Sequence, residues 1–289
     1  MPNHLILSIF LAVSCTGLSV ATTIADLIPQ SAANFQVMNR TASRGMNEGQ
    51  AYWPDGADSA KRHPIALVFA EAGKAGPTPY PQKEGDWPGV GVISVFGFMT
   101  QNRQYLWSQR QVNQGAVVFA GDSNIGGWES LKNDFAPLHV ANVGIGGDVS
   151  RGLLFRLKED VIDLTPKAVV ILIGTNDMSA KEDLSLLVSN LSSILNMLRD
   201  YKKSLPIVLC KLPPRDNLET DVLDLNSRLD SLSKSYSNLA LLDLYHLLAL
   251  PDGSVDPQNF ADDKIHISST GYQKFHDALI PIFRRLKVK

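Results

Sequence analysis

Sulfur is scarce in this sequence: there are two cysteines in 289 residues, Cys15 in an N-terminal apolar stretch and Cys210 near the middle of the second half. If the stretch holding Cys15 is removed, one thiol remains, which excludes an intramolecular disulfide even in an oxidising compartment. Cys210 ends the apolar run Ile207-Val208-Leu209-Cys210 and reads as a small buried hydrophobe, not a reactive thiol. Charge of one sign is lacking too. Lys and Arg number 27 against 29 Asp and Glu, a formal net charge of -2. No broad basic surface is available to neutralise phosphates, so nucleic acid is set aside as a partner. The nearest approach to a dinucleotide fingerprint, Gly144-Ile145-Gly146-Gly147-Asp148-Val149, has Val149 where the third glycine is needed. No cofactor and no metal are expected.

What is present is globular composition, 44% hydrophobic and 19% charged, enough to bury a core without staples. The chain opens on MPNH and the apolar LILSIFLAV, too short to span a bilayer comfortably. Export to the periplasm or exterior is the expectation. Two processing signals compete: Ser19-Val20-Ala21 offers a small-x-small cleavage site, and Ala12-Val13-Ser14-Cys15 resembles a bacterial lipoprotein box. Simple cleavage is preferred, with residues 1–21 as signal; lipidation of Cys15 would be the only membrane contact.

Residues 22–115, rich in Gly, Pro, Asn and Gln, read as a segment wrapped on the main domain, with a helix over Gln101 to Gln114. Residues 116–289 change pattern. Short apolar runs alternate with amphipathic stretches: strands at Ala116–Ala120, His139–Val143, Ala168–Ile173, Ile207–Leu212 and Leu239–Leu244. Helices are expected at Ile125–Phe135, Ser150–Ile162, Leu184–Tyr201, Glu219–Ser235 and Thr270–Leu286. This alternation indicates an α/β/α sandwich on a five-stranded parallel sheet, with ligands at the carboxyl ends of the strands.

Polar motifs should then follow strands, and they do. Gly121-Asp122-Ser123 follows the first, the glycine cluster ending in Gly147-Asp148 the second, and Gly174-Thr175-Asn176-Asp177 the third. Ser123 at a strand-to-helix turn can present a hydroxyl, the Gly147 amide can donate to a close ligand, and Asn176 offers a side-chain amide. Each has a plainer reading alone: helix cap, tight turn, turn former. Asp177 reads as a cap or loop brace. Asp263-Lys264-Ile265-His266, before the last helix, tips the balance, because three-residue spacing across a turn lets the carboxylate hold one imidazole nitrogen while the other faces the serine. Among the other histidines His246, also after a strand, is the main competitor; its neighbours Leu247 and Leu248 suggest packing.

Together these residues resemble the SGNH, or GDSL-type, hydrolase superfamily, whose four blocks are matched by Gly121-Asp122-Ser123, Gly147 in NVGIGGD, Asn176 in GTND and Asp263-Lys264-Ile265-His266. NVGIGGDVSRGLLFRL and KLPPR are similar to the platelet-activating-factor acetylhydrolase-like branch, and GDSNIGGW to bacterial carbohydrate acetylesterases. The resemblance implies a flavodoxin-like three-layer fold and metal-free ester hydrolysis. Ser123 would be nucleophile, His266 base and Asp263 its orienting partner, with the Ser123 and Gly147 amides and the Asn176 side chain as oxyanion hole. Asn124 departs from the apolar residue usual there and could alter packing beside the nucleophile or touch substrate. The expected activity is removal of short acyl groups, O-acetyl above all, from carbohydrate. A lipid or lysophospholipid esterase is the alternative, and a non-catalytic carbohydrate-binding protein the alternative of another class. Trp53, Trp87 and Trp107 suggest that the N-terminal segment builds a wall of the cleft, since aromatic faces can stack on sugars.

Overall fold

The computed structural model describes residues 75–288 and, as a short strand, Ala51–Tyr52. The export segment, Cys15, Trp53, His63 and the apolar run at 65–70 lie outside the described residues.

The strands are β1 Ala51–Tyr52, β2 Ile93–Ser94, β3 Val117–Gly121, β4 Val140–Asn142, β5 Ala168–Leu172, β6 Ile207–Lys211 and β7 Leu239–Asp243. The helices are α1 Gly97–Gln109, α2 Ser123–Gly126, α3 Leu131–Asp134, α4 Ser150–Asp160, α5 Thr175–Ser179, α6 Leu184–Tyr201, α7 Glu219–Ser233, α8 Leu244–Leu248 and α9 Ser269–Arg285. β1 and β2 form an antiparallel pair. The other five strands make one sheet, all parallel, in the order β4-β3-β5-β6-β7.

The central strands β3 and β5 read VVFAG and AVVIL and are buried at every position. That is what a parallel strand covered by helices on both faces requires. The edge strand β7 instead alternates buried and half-buried residues. α6 turns Leu187, Leu191, Ile194, Leu195 and Leu198 inward at helical spacing, and α9 does the same with Tyr272, Phe275, Leu279 and Phe283. With the chain leaving β3 towards β4 on one side and reaching β5 on the other, the strand order reverses at β3. A crevice opens there at the carboxyl ends of β3 and β5, the standard ligand position in such sheets.

Two expectations about elements need correction. The helix over Ile125–Phe135 does not form as one piece; α2 ends at Gly126, Gly127 caps it, and α3 begins at Leu131. Ile125, Trp128, Leu131 and Phe135 are spaced like a helical stripe and all four are buried, but the Gly126-Gly127 pair ends the first turn. α1 also begins at Gly97, earlier than expected, and ends at Gln109.

Tyr80, Trp87, Ile93, Met99 and Leu106 belong to the same core as the sheet. Buried polar groups stitch this segment down. Asn190 on α6 accepts from the Val90 amide (3.1 Å) and donates to its carbonyl (2.8 Å). Arg151 on α4 donates to the carbonyls of Pro88 (3.0 Å) and Gly91 (2.7 Å).

Candidate active site

Ser123 opens α2 directly after β3, and its side chain is buried in the crevice. The preceding Asp122 accepts the Asn124 amide at Oδ1 (2.9 Å), the N-cap arrangement that ends a strand and starts a helix. Residue 263 sits 140 positions away in sequence, yet the loop before α9 returns to this point. His266 Nε2 lies 2.9 Å from Ser123 Oγ, and its Nδ1 lies 2.6 Å from Asp263 Oδ2. The other carboxylate oxygen of Asp263 accepts from the amides of Ile265 (2.9 Å) and His266 (3.0 Å), a tight turn that Lys264 closes with φ of 57°. With a carboxylate against Nδ1, the ring carries its proton there and offers Nε2 to the serine as acceptor. Burial alone would push the Asp263 carboxyl up; the hydrogen bonds from the His266 ring and from the two amides outweigh it and hold it at about 2.

Gly147 follows β4 with φ of 74°, and a Cβ there would come within 2.5 Å of the Phe96 ring. Backbone meets backbone one step earlier, at Gly144, whose missing Cβ leaves room for the Gly126 amide (2.2 Å from the Cβ position). These contacts bring the loop after β4 against α2, the helix that opens on Ser123. Among the described residues neither the Ser123 nor the Gly147 amide donates to a protein acceptor. Asn176 is buried on α5, and its Nδ2 donates to the Asp148 carbonyl (2.9 Å). A side-chain amide has two such hydrogens, so one orients the group and the other can serve a ligand. The arrangement can activate a hydroxyl and stabilise an oxyanion.

The supporting residues act at one remove. Asp148 is fully buried and paired at 2.7 Å with Arg156 Nε, while the two terminal guanidinium nitrogens of Arg156 donate to the carbonyls of Gly121 (2.9 Å) and Val143 (2.7 Å). Arg156 thereby ties the ends of β3 and β4 to the Gly147 loop. Asp177 does not approach Ser123 by any hydrogen bond; both its oxygens accept the Ser150 amide at 3.0 Å, capping α4 from the neighbouring helix α5. Burial raises Asp122 and Asp177 each to about 7, against the hydrogen bonds they accept from Asn124 and Ser150 respectively. Asp122 Oδ2 is buried and unpaired among the described residues. Asn124 turns its side chain to the Ile267 amide (3.0 Å).

His246 is exposed, its Nδ1 pairs with Asp243 at 2.9 Å and its ring stands edge-on to Tyr245; it makes no hydrogen bond to the Ser123 site. Trp87 is core, stacked on Tyr80 and donating to the Pro81 carbonyl (3.1 Å), so it is not part of a cleft wall. Trp107 is half-buried with Arg110 over its ring. The N-terminal residue that does reach the site is Phe96, half-buried and stacked on Phe98. Burial raises the Cys210 thiol, in keeping with a packing role.

Sequence reasoning overlooked Arg156, Phe96, Tyr272 and Arg215. Arg156 left one signal, a charge inside the apolar stretch LLFRL. Arg215 of KLPPR is buried and donates to Thr175 Oγ1 and Ser179 Oγ (3.4 Å), bracing the helix that carries Asn176.

Residues 108–274 match the family described as GDSL-like lipase/acylhydrolase. Among curated proteins, the platelet-activating factor acetylhydrolase IB subunit alpha2 of Rattus norvegicus is 26% identical over 199 residues, covering 65% of this chain and 84% of that protein. Among solved structures, a GDSL-like lipase of Bacteroides thetaiotaomicron superposes with a TM-score of 0.54 at 21% identity, over 61% of this chain and 90% of that one. The lipase/acylhydrolase of Enterococcus faecalis does so with 0.52 at 24%, over 61% and 99%.

Proposed function

Since the chain belongs to the GDSL-like lipase/acylhydrolase family of hydrolases, we propose that it is an exported serine esterase that removes short acyl groups, O-acetyl above all, from carbohydrate. The observation that carries the esterase reading is the chain of contacts from Asp263 through His266 to Ser123, 2.6 and 2.9 Å. Ser123 Oγ attacks the ester carbonyl as His266 Nε2 takes its proton. The oxyanion is met by the Ser123 and Gly147 amides and the free hydrogen of Asn176 Nδ2. His266 then gives the proton to the departing alcohol. In the second half it draws a proton from water, which attacks the acyl carbonyl, and hands that proton to the departing Ser123 Oγ, so that the acid is released and serine and neutral imidazole are restored. Asp263 stays ionised throughout and stabilises the imidazolium.

The short acyl group is supported by Phe96, whose ring occupies the space that a Cβ on Gly147 would take, next to one of the proposed oxyanion donors. Carbohydrate is supported by the similarity of GDSNIGGW to acetylesterases, and export by the apolar segment before residue 22. The acetylhydrolase name of the curated relatives favours a second reading, a lipid acetyl ester.

The test is hydrolysis of p-nitrophenyl acetate, butyrate, octanoate and palmitate by wild type and Ser123→Ala. The expectation is activity confined to the short esters and reduced by about three orders of magnitude in the variant. Activity rising with chain length would move the substrate to lipids. Equal activity in the two proteins would mean that Ser123 is not the nucleophile. Covalent capture of Ser123 by an organophosphonate excludes a non-catalytic binding protein.

A further inference from the structure

α2, the helix that presents the nucleophile, is four residues long. One helical turn is a costly nucleus that does not stand by its own hydrogen bonds, so the direction of the Ser123 side chain depends on what grips this turn from outside. Asn124 is where the grip lies. It is 1% exposed, and three of its polar groups are engaged: its amide on Asp122 Oδ1 (2.9 Å), its carbonyl by the Tyr272 hydroxyl (3.0 Å), and its Oδ1 by the Ile267 amide (3.0 Å). Tyr272 is itself stacked on Trp128, so α9 and the loop before it hold α2 from one side.

The Ile267 contact has a particular register. Ser123 and Asn124 are neighbours, and so are His266 and Ile267. The bonds Ser123–His266 and Asn124–Ile267 are therefore consecutive rungs between two segments 143 residues apart. We infer that Asn124 is a positioning residue whose side-chain oxygen sets the register of the His266 loop on the nucleophile turn and so fixes the distance between Nε2 and Oγ. An apolar residue in its place would fill similar volume without an acceptor. The Ile267 amide, on a residue only 5% exposed, would then have to find water or shift the loop. The inference rests on the esterase reading for its catalytic consequence, but not for its geometry.

Asn124→Leu removes the acceptor and keeps the bulk; Asn124→Asp keeps the acceptor. Two readouts are needed. In histidine-labelled protein, the ¹⁵N shift of His266 Nε2 in Ser123→Ala marks the lost serine contact. Asn124→Leu should move the shift towards that position, and Asn124→Asp should leave it near wild type. In acetate ester hydrolysis, kcat per folded molecule should fall about 10- to 100-fold in Asn124→Leu with KM within about twofold, and recover to within a few fold in Asn124→Asp at the plateau of its pH profile. An unmoved ¹⁵N shift in Asn124→Leu overturns the inference whatever the enzyme hydrolyses. So does wild-type kcat in that variant, or an equal loss in Leu and Asp variants. If Asn124→Leu does not fold, Asn124→Ala is read against the same two standards. Wild-type activity no greater than that of Ser123→Ala would count against the esterase reading alone, leaving the ¹⁵N comparison to decide this one.

Discussion

Gly147 meets two demands at once: a backbone at φ of 74° and a position where an aromatic ring leaves no space for a Cβ. Gly147→Ala is strained on the first count and collides with Phe96 on the second, so the amide proposed to meet the oxyanion must move. Steady-state kinetics should show kcat lower by about 10²-fold, the scale of losing one oxyanion donor. Adding Phe96→Ala should restore part of it, and no recovery would locate the loss in backbone strain alone. The buried carboxyls make a prediction about pH. Asp122 and Asp177 are raised to about 7 in the folded protein, from about 3.9 in an unfolded chain. Their contribution is fully present below pH 4 and is lost as pH rises through 7. Asp263, held at about 2, contributes above pH 4 and loses that as pH falls through 2. Tm measured from pH 5 to 8 should therefore decline, and Asp177→Asn, which keeps an acceptor for Ser150 without a charge, should flatten the decline. An unchanged slope would show that Asp177 ionises freely. Ser123, Gly147 and Asn176 were legible as candidates because each is a chemically distinctive residue just after a strand, and Asp263 and His266 because they stand three residues apart before the last helix. Arg156 was not, because a charge inside LLFRL marks a position without saying which carboxylates and carbonyls its guanidinium meets.

α4 is the element on which this turns. Through Arg156 it holds Asp148 and Asp160 and two strand-end carbonyls inside the buried core. Arg156→Met would leave both carboxylates facing the gap without that cation, a loss on the order of 3–5 kcal/mol for breaking a buried pair. Asp160 retains Arg103 at 3.3 Å, so Asp148 should bear most of the effect. Chemical denaturation would read the loss directly, and a change under 1 kcal/mol would mean the network relaxes around the deletion. Strands were legible as apolar runs because a doubly covered strand has no polar face. α2 and α3 were not separable in advance. Their apolar residues follow a helical stripe, and only the packed structure reveals that Trp128 reaches the core from a loop, its Nε1 donating to Asp134 at 2.7 Å.

Across the whole molecule, the segment from Tyr80 to Leu106 contributes large side chains to the core that the sheet builds, and one of its rings touches the Gly147 loop. Burying each such side chain is worth about 1.5–3 kcal/mol, so a chain beginning at Ala116 should lose an amount comparable with the 5–15 kcal/mol that holds a typical domain together. Thermal unfolding of that truncated chain should show a much lower Tm or no cooperative transition; a Tm near that of the full chain would make the segment an accessory. What the sequence by itself determined is the layered α/β class, the order of the strands along the chain and the set of reactive residues at their ends. Burial, period and side-chain chemistry are written locally, a few residues at a time. What only the tertiary structure decided is proximity: that residue 266 meets residue 123, that the Asn124 side-chain oxygen meets the Ile267 amide, that Phe96 and not Trp87 reaches the site, and that Asp177 caps a helix it does not belong to. Those contacts join segments tens to more than a hundred residues apart, and they exist only because the strand order reverses at β3 and brings the loop ends into one crevice.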